Sequence, residues 1–178
     1  MASSELDAAR PADRREAWLR MDDASLLREC REERYRASGP GGQRRNKVET
    51  AVRLRHTPTG LVAQAEESRY LEQNRSLAVR RLREKIALEV RQPFDLESPP
   101  PSPELAAQRS GEGGLAVNPS NVAYPIIVAV VLDALAAADG SYARAASALG
   151  LTTSQLLKFL RSDPQISRTL ANRARAST

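Results

Sequence analysis

The sequence contains few of the residues that enzymes commonly use for covalent or metal chemistry. It has one cysteine, Cys30, and one histidine, His56, among 178 residues. A single cysteine excludes an internal disulfide framework and is typical of a reducing compartment, so we expect a cytoplasmic protein. Because a Cys/His metal site needs more ligands than these two residues supply, we predict no metal and no other cofactor.

Aromatic residues and long apolar runs are also scarce. Aromatic residues make up 4% of the chain and hydrophobic residues 41%, so the core must be mostly aliphatic. The longest apolar run, residues 122–138, is interrupted by Pro125 and Asp133 and is short for a membrane span. Residues 1–16 lack the apolar centre of a signal peptide. We therefore expect a buried helix in the apolar run and no membrane partner.

Positive charge is concentrated in one part of the chain. The net charge is +5, and residues 31–91 carry 15 Lys and Arg against 8 Asp and Glu, whereas residues 1–30 carry 5 against 7. Part of such a surplus is ordinary solvated surface. Its concentration favours an anionic partner for residues 31–91.

Composition divides the chain into four segments. Residues 95–114 are rich in Pro, Ser and Gly and predict a linker. We expect a helical segment over residues 1–29, an α+β domain over residues 30–94 and an all-helical domain over residues 115–178.

Patterns within residues 30–94 predict a hairpin and a long helix. The stretch AVRLRH at residues 51–56 alternates apolar and cationic side chains, as a half-buried strand does. Pro58 and Gly60 then mark a turn, so residues 51–66 are interpreted as a β-hairpin. Apolar residues recur at helical spacing over about residues 68–90 and would pack on the hairpin; they are Leu71, Ala78, Leu82 and Ile86.

The last part of the chain resembles a helix-turn-helix in its spacing. One helix would end near Gly150, and Thr152 or Thr153 would cap the next. The second helix carries only Lys158 and Arg161 as cations, so plain helical packing or protein docking is favoured over nucleic-acid recognition. The partner of this domain is unknown.

The stretch RASGPGGQRRNK at residues 36–47 combines a glycine-rich turn with a cluster of cations around one glutamine. Taken alone, its spacing favours a simple turn. A phosphate-binding loop is a second interpretation, but the Walker pattern with its lysine and hydroxyl pair is absent.

The sequence offers no plausible set of nucleophile, base and acid. His56 stands alone beside the hairpin turn, where a solvated or hydrogen-bonded histidine is the simpler interpretation, and Cys30 is interpreted as a small buried residue. The adjacent pairs Glu32/Glu33 and Glu66/Glu67 would point to opposite faces of an extended segment. Chemistry in this domain would therefore depend on positioning and polarisation.

The segment YRASGPGGQRRNKVETAVRLRHTPTGLVAQ, together with the following ESRYLEQNRSLAVRRLREKI, resembles the catalytic domain of bacterial and organellar peptide chain release factors. The resemblance covers about residues 30–90 and includes the Gly-Gly-Gln signature of that family. It implies a small α+β domain with an antiparallel sheet and a long packing helix. It also implies hydrolysis of the ester that joins a nascent peptide to transfer RNA.

Elementary chemistry agrees with that implication. Gly41 and Gly42 would make a narrow loop able to enter a cavity in ribosomal RNA, and Gln43 would place water and stabilise developing negative charge. These three residues are the predicted catalytic residues. The predicted RNA-binding residues are Arg36, Arg44, Arg45, Lys47, Arg53 and Arg55.

The resemblance is closest to the short, codon-independent members that rescue stalled ribosomes. About 30 residues precede the matched segment, which is too few for a stop-codon recognition module, and residues 101–178 lack a strongly basic tail. We expect a monomer whose partners are the ribosome, through large-subunit RNA, and peptidyl-tRNA. The alternative is a non-enzymatic regulator that binds nucleic acid through its helix-turn-helix-like domain.

Overall fold

The computed structural model describes residues 11–36, 48–109, 115 and 117–176. The chain divides into two units, Met1–Ile86 and Ala87–Thr178. In chain order the elements are α1 (Pro11–Arg20), α2 (Asp23–Arg28), β1 (Cys30–Tyr35), β2 (Ala51–His56), β3 (Val62–Ala65), α3 (Leu71–Glu89), α4 (Pro103–Ala107), α5 (Tyr124–Ala137), α6 (Tyr142–Ala148), α7 (Thr153–Ser162) and α8 (Pro164–Ala176).

The first unit contains a three-stranded antiparallel sheet in the order β1-β2-β3. Val52 lies opposite Ala65 on the buried face, while Arg53 lies opposite Gln64 on the exposed face. Gly60 closes the turn between β2 and β3 with a φ of +71° and donates its backbone N–H to His56 O at 2.8 Å. The predicted hairpin is therefore confirmed, and the alternation of its side chains explains which face it buries.

Helix α3 lies within the predicted range and packs on the sheet. Its buried residues Ala78, Leu82 and Ile86 recur at a spacing of four. Arg81 and Lys85 donate to backbone oxygens of the edge strand β3, at 2.8 Å and 2.6 Å respectively. These bonds satisfy carbonyls that the sheet ladder leaves unpaired.

Two short helices precede the sheet. Pro11 begins α1, and Asp22 caps α2 by accepting a hydrogen bond from Ser25 N at 2.7 Å. Trp18 is fully buried and donates its Nε1–H to the carboxylate of Glu29 at 3.0 Å. This tryptophan joins the N-terminal helices to the rest of the first unit.

The second unit is helical among its described residues. Helix α5 is buried along most of its length, as its apolar sequence predicts. Its one charged residue, Asp133, accepts hydrogen bonds from Arg91 Nη1 at 3.0 Å and Gln92 N at 3.1 Å. The buried carboxylate is therefore paired, as burial requires.

The helices α6 and α7 are joined by a tight turn. Gly150 has a φ of +63°, and a Cβ at this position would lie 2.9 Å from Arg109 Nη2. The Arg109 guanidinium donates to Leu149 O at the end of α6. Thr152 begins α7 with a capping box that includes Gln155.

Part of the segment predicted as a linker is helical. Ser102 caps α4 by accepting a hydrogen bond from Leu105 N at 3.3 Å, and Leu105 is buried within the second unit. Residues 110–114, the glycine-rich end of the same segment, lie outside the described residues. The described part of this segment is therefore more structured than a linker composition suggests.

Candidate functional site at the connection between β1 and β2

The antiparallel pairing of β1 and β2 places both ends of the Gly-Gly-Gln segment at one end of the sheet. Tyr35 pairs with Ala51 as the last residues in register. Residues 37–47 connect these strands and lie outside the described residues. The predicted site residues within that segment are Gly41, Gly42, Gln43, Arg44, Arg45 and Lys47.

The chain on either side of this segment is connected by an ion pair. Arg36 and Glu49 approach to 3.5 Å between Nε and Oε1, and both side chains are largely exposed. Thr50 N donates to Val48 O at 3.1 Å, which forms a hydrogen-bonded turn directly before β2. The exposed ion pair adds little stability by itself, but it spans the base of the segment.

A fully buried asparagine fixes the chain just before β2. Asn74, in the first turns of α3, donates its Nδ2–H groups to Thr50 O at 2.7 Å and to Ser68 O at 2.8 Å. Its Oδ1 accepts a hydrogen bond from Ser68 N at 2.9 Å. One side chain therefore ties the start of α3 to the strand that follows the Gly-Gly-Gln segment.

The last residue of β1 is held by contacts on both sides. Tyr35 donates its hydroxyl to Glu66 Oε2 at 3.0 Å, and the Arg53 guanidinium lies 5.3 Å from the centre of its ring. Burial and the hydrogen bond to Glu66 raise the pKa of Tyr35. The phenol therefore stays protonated and continues to donate at neutral pH.

A two-point ion pair joins the middle of β1 to α3. Arg75 donates to Glu32 through Nε at 2.8 Å and through Nη2 at 2.9 Å. The hydrogen bonds from Arg75 hold the pKa of Glu32 below its usual range. This half-buried, bidentate ion pair between Arg75 and Glu32 fixes β1 on α3 more firmly than an exposed pair would.

The exposed face of the sheet brings together three arginines. Arg31 lies directly opposite Arg55 in the register of β1 and β2, and Arg53 lies opposite Glu33. Like charges in direct register are unfavourable in a sheet unless an anion lies between them. Arg53 and Glu33 approach to 3.8 Å, whereas Arg55 is exposed and has no charged partner among the described residues.

Sequence reasoning identified Arg53 and Arg55 but missed Arg31. The alternation of β2 alone was enough to place the first two on an outer face. Arg31 belongs to the polar stretch CREERY, whose burial pattern has no clean alternation. Its position became apparent only from the pairing with β2.

The lone histidine and the lone cysteine both have structural surroundings. His56 is fully buried against Trp18, with ring centres 4.6 Å apart, and its Nδ1 is 2.8 Å from Thr59 Oγ1. Desolvation lowers the pKa of His56 to about 4. Burial raises the pKa of Cys30 to about 11, so its thiolate is disfavoured at neutral pH.

Neither a metal centre nor a membrane span is visible in the described part of the chain. No group of three or more His, Cys, Asp or Glu residues within it could hold a metal ion. No described helix is both long enough and apolar enough to cross a bilayer.

Comparison with known proteins agrees with the strand arrangement at this site. Residues 26–100, less than half of the chain, match the RF-1 domain family. This segment is release-factor-like. The matched range contains β1, β2 and β3, the whole of α3 and the Gly-Gly-Gln sequence.

Individual relatives support the same conclusion over shorter stretches. The chain is 48% identical over 58 residues to peptide chain release factor 2 of Acidovorax sp. (strain JS42), covering 33% of this chain and 16% of that protein. It is 52% identical over 52 residues to peptide chain release factor 1 of Chloroherpeton thalassium (strain ATCC 35110 / GB-78), covering 29% and 14% respectively. The aligned part of this chain thus spans about a sixth of the length of these curated relatives.

Proposed function

We propose that this protein is a codon-independent release or ribosome-rescue factor, which hydrolyses the peptidyl-tRNA ester in the ribosomal peptidyl transferase centre. The observation that carries the proposal is the match of residues 26–100 to the RF-1 domain. Within that range a Gly-Gly-Gln sequence lies between two paired antiparallel strands. We further propose that it works as a monomer.

The described residues next to the segment support a positioned loop. Asn74, the Arg36–Glu49 pair and the Tyr35–Glu66 hydrogen bond act on the chain at the two sides of residues 37–47. A catalytic group that acts by position needs supports of this kind, because small displacements of the reacting atoms cost large factors in rate.

The proposed chemistry uses water as the nucleophile. The water oxygen adds to the ester carbonyl, the ribose oxygen of the tRNA leaves with a proton, and a free peptide carboxyl results. Gly41 and Gly42 allow close approach, and Gln43 offers a backbone N–H and an uncharged amide that stabilise charge and orient the water. Removing one such donor costs about 10² to 10³ in rate.

The surroundings of the two residues most often used as bases or nucleophiles favour this mechanism. His56 is buried against Trp18, and its lowered pKa reflects a packed ring. Cys30 is partly buried with its Sγ 3.2 Å from Leu26 O, and its pKa is raised. Neither residue is placed as an activated catalytic group.

Cations near the segment would hold ribosomal RNA. Arg44, Arg45 and Lys47 flank Gln43 in sequence, while Arg31, Arg53 and Arg55 lie on the exposed face of the same sheet. Arg36, the last described residue before the segment, is paired with Glu49. Together they would contact phosphates on both sides of the entering loop.

Peptide release from defined ribosomal complexes tests the codon-independent part of the proposal. Purified wild-type protein is mixed with ribosomes that carry labelled peptidyl-tRNA and have an empty, sense-codon or stop-codon decoding site, and with isolated large subunits. We expect release from at least one complex that lacks a stop codon. The stop codon should give no advantage over an empty site.

A strict requirement for a stop codon would contradict codon independence while leaving a release activity in place. A failure to release peptide from all four substrates would contradict the hydrolase itself. Puromycin, which accepts the peptide without any protein factor, serves as the control that each complex is competent for release.

A further inference from the structure

The exposed face of α7 is polar and basic. Ser154, Lys158 and Arg161 follow one another at intervals of four and three residues, so they form one stripe along the helix. All three are exposed. The opposite face holds the buried residues Leu156, Phe159 and Leu160.

Helix α8 repeats this arrangement. Gln165, Arg168, Asn172 and Arg175 fall on one stripe at intervals of three, four and three residues, and all are exposed. Ile166, on the other side of the helix, is fully buried. Two consecutive helices therefore present cations and hydrogen-bonding side chains to solvent.

The cations of this region greatly outnumber its acidic residues. From residue 141 to the last residue the sequence has six Lys and Arg and one acidic residue, Asp163. The Asp163 carboxylate accepts hydrogen bonds from the Tyr124 hydroxyl at 2.6 Å and from Gln165 N at 2.7 Å. It is thus occupied in holding the junction between α7 and α8.

The four described cations on the two stripes are available to a ligand. Lys158, Arg161, Arg168 and Arg175 have no ion-pair or hydrogen-bond partner among the described residues. Several other exposed arginines do have acidic partners; Arg20 is paired with Glu16 and Arg80 with Glu84. A cluster of unpaired cations interleaved with Ser, Gln and Asn side chains suits a phosphate backbone.

A lipid surface is a poorer match for these helices. An amphipathic helix inserts into a membrane through its apolar side. The apolar residues Leu156, Phe159, Leu160 and Ile166 are already buried in the second unit. Insertion would require that unit to unfold.

We propose that Lys158, Arg161, Arg168 and Arg175 form a second nucleic-acid-binding surface, which contacts the phosphate backbone of RNA. The choice of RNA over DNA rests on the proposed function, because a factor acting on the ribosome encounters structured RNA. The existence of the surface rests only on the placement and charge of the two helices. It gives the helical unit a role in holding the ribosome, in addition to the loop at the sheet.

The test compares two charge-matched variants of the full chain for binding to a short RNA duplex and to a DNA duplex of the same sequence. One variant carries Lys158→Gln, Arg161→Gln, Arg168→Gln and Arg175→Gln. The control carries Arg20→Gln, Arg28→Gln, Arg80→Gln and Arg144→Gln, which removes the same charge from cations that have partners. Circular dichroism checks that both variants keep the wild-type helix content.

We expect the α7–α8 variant to bind RNA at least about tenfold more weakly than the control. Its plot of log affinity against log salt should be less steep by about 3, since about four phosphate contacts are lost. Equal effects of the two variants would overturn the proposal, because net charge alone would then explain binding. Tighter binding of DNA than of RNA would overturn it as well and favour a DNA-reading role.

The result of this RNA-binding experiment does not depend on whether the hydrolase proposal is correct. Suppose that the wild type releases no peptide, while the α7–α8 variant binds RNA more weakly than its control. The hydrolase proposal then fails and the binding surface stands. If the wild type releases peptide and the four substitutions leave RNA affinity unchanged, the binding surface fails and the hydrolase proposal stands.

Discussion

At the scale of single residues, the described part of the first unit buries three polar side chains, Arg15, His56 and Asn74, and Asn74 contacts the chain just before β2. Its amide makes three hydrogen bonds to backbone groups of Thr50 and Ser68. The bond to Thr50 links residues 24 positions apart in sequence. Nothing in the local pattern of EQNRS distinguishes this asparagine from an exposed one, so sequence reasoning missed it.

Replacing Asn74 with alanine should lower the free energy of unfolding by roughly 2–3 kcal/mol, because buried backbone groups lose their partners. Urea unfolding followed by circular dichroism measures this. The neighbouring exposed Gln73 provides the control, since Gln73→Ala should change stability by less than about 0.5 kcal/mol. Similar losses of unfolding free energy in the two variants would show that the hydrogen bonds of Asn74 do not stabilise the first unit.

His56 is also fully buried in the first unit, and it should make that unit sensitive to mild acid. Its folded-state pKa of about 4 lies below the ordinary value of 6.5. Its neutral form therefore contributes stability that is fully present above pH 6.5 and is lost as the pH falls towards 4. The full loss is on the order of 3 kcal/mol.

Urea unfolding of the wild type at pH 7 and pH 5 measures this dependence, with His56→Gln as the comparison. The wild type should lose more stability than the variant over this interval, since glutamine does not titrate. The carboxylates with lowered pKa values, Asp22, Glu32 and Glu67, add their own losses only at lower pH. An identical pH dependence in the two proteins would contradict the account of His56.

At the scale of elements, the turns on either side of α6 offer a matched pair of glycines, Gly140 before the helix and Gly150 after it. Gly140 and Gly150 both have positive φ, but only Gly150 faces the Arg109 guanidinium. Gly140→Ala should cost about 1 kcal/mol from backbone strain alone. Gly150→Ala should cost about 1 kcal/mol more, because the added methyl group displaces Arg109 from Leu149 O.

Thermal and urea unfolding of the two variants, alone and combined with Arg109→Ala, measure the difference. Once Arg109 is truncated, the extra cost at Gly150 should disappear, which a double-mutant cycle detects as a coupling. If Gly150→Ala and Gly140→Ala lower the free energy of unfolding equally in the wild-type background, the contact with Arg109 adds nothing to the cost at Gly150.

The elements differ in how far sequence predicts them, for reasons visible in their packing. The hairpin and α3 each bury one clean apolar stripe, so periodicity alone locates them. Strand β1 has no apolar stripe, so periodicity does not locate it. Its position depends instead on pairing with β2 and on the ion pair between Glu32 and Arg75. Helix α8 was not singled out either, because its sequence is mostly polar around the buried Ile166.

At the scale of the whole molecule, sequence reasoning and structure contribute different parts of the proposed function. The sequence supplies the Gly-Gly-Gln motif and the resemblance to release factors, and the match of residues 26–100 agrees with the resemblance. The long-range contacts supply the supports of the loop and the basic face of the sheet. These contacts join residues far apart in sequence, which a local pattern does not reveal.

The central claim is that an uncharged glutamine on a narrow loop hydrolyses an ester which the ribosome has already exposed. Its most direct test is single-turnover release of labelled peptide at saturating protein, by the wild type, Gln43→Ala and Gly42→Ala, with ribosome binding measured in parallel. We expect the release rate of each variant to fall by at least about 10², while ribosome binding is unchanged. Release by Gly42→Ala and Gln43→Ala at the wild-type rate would contradict the claim.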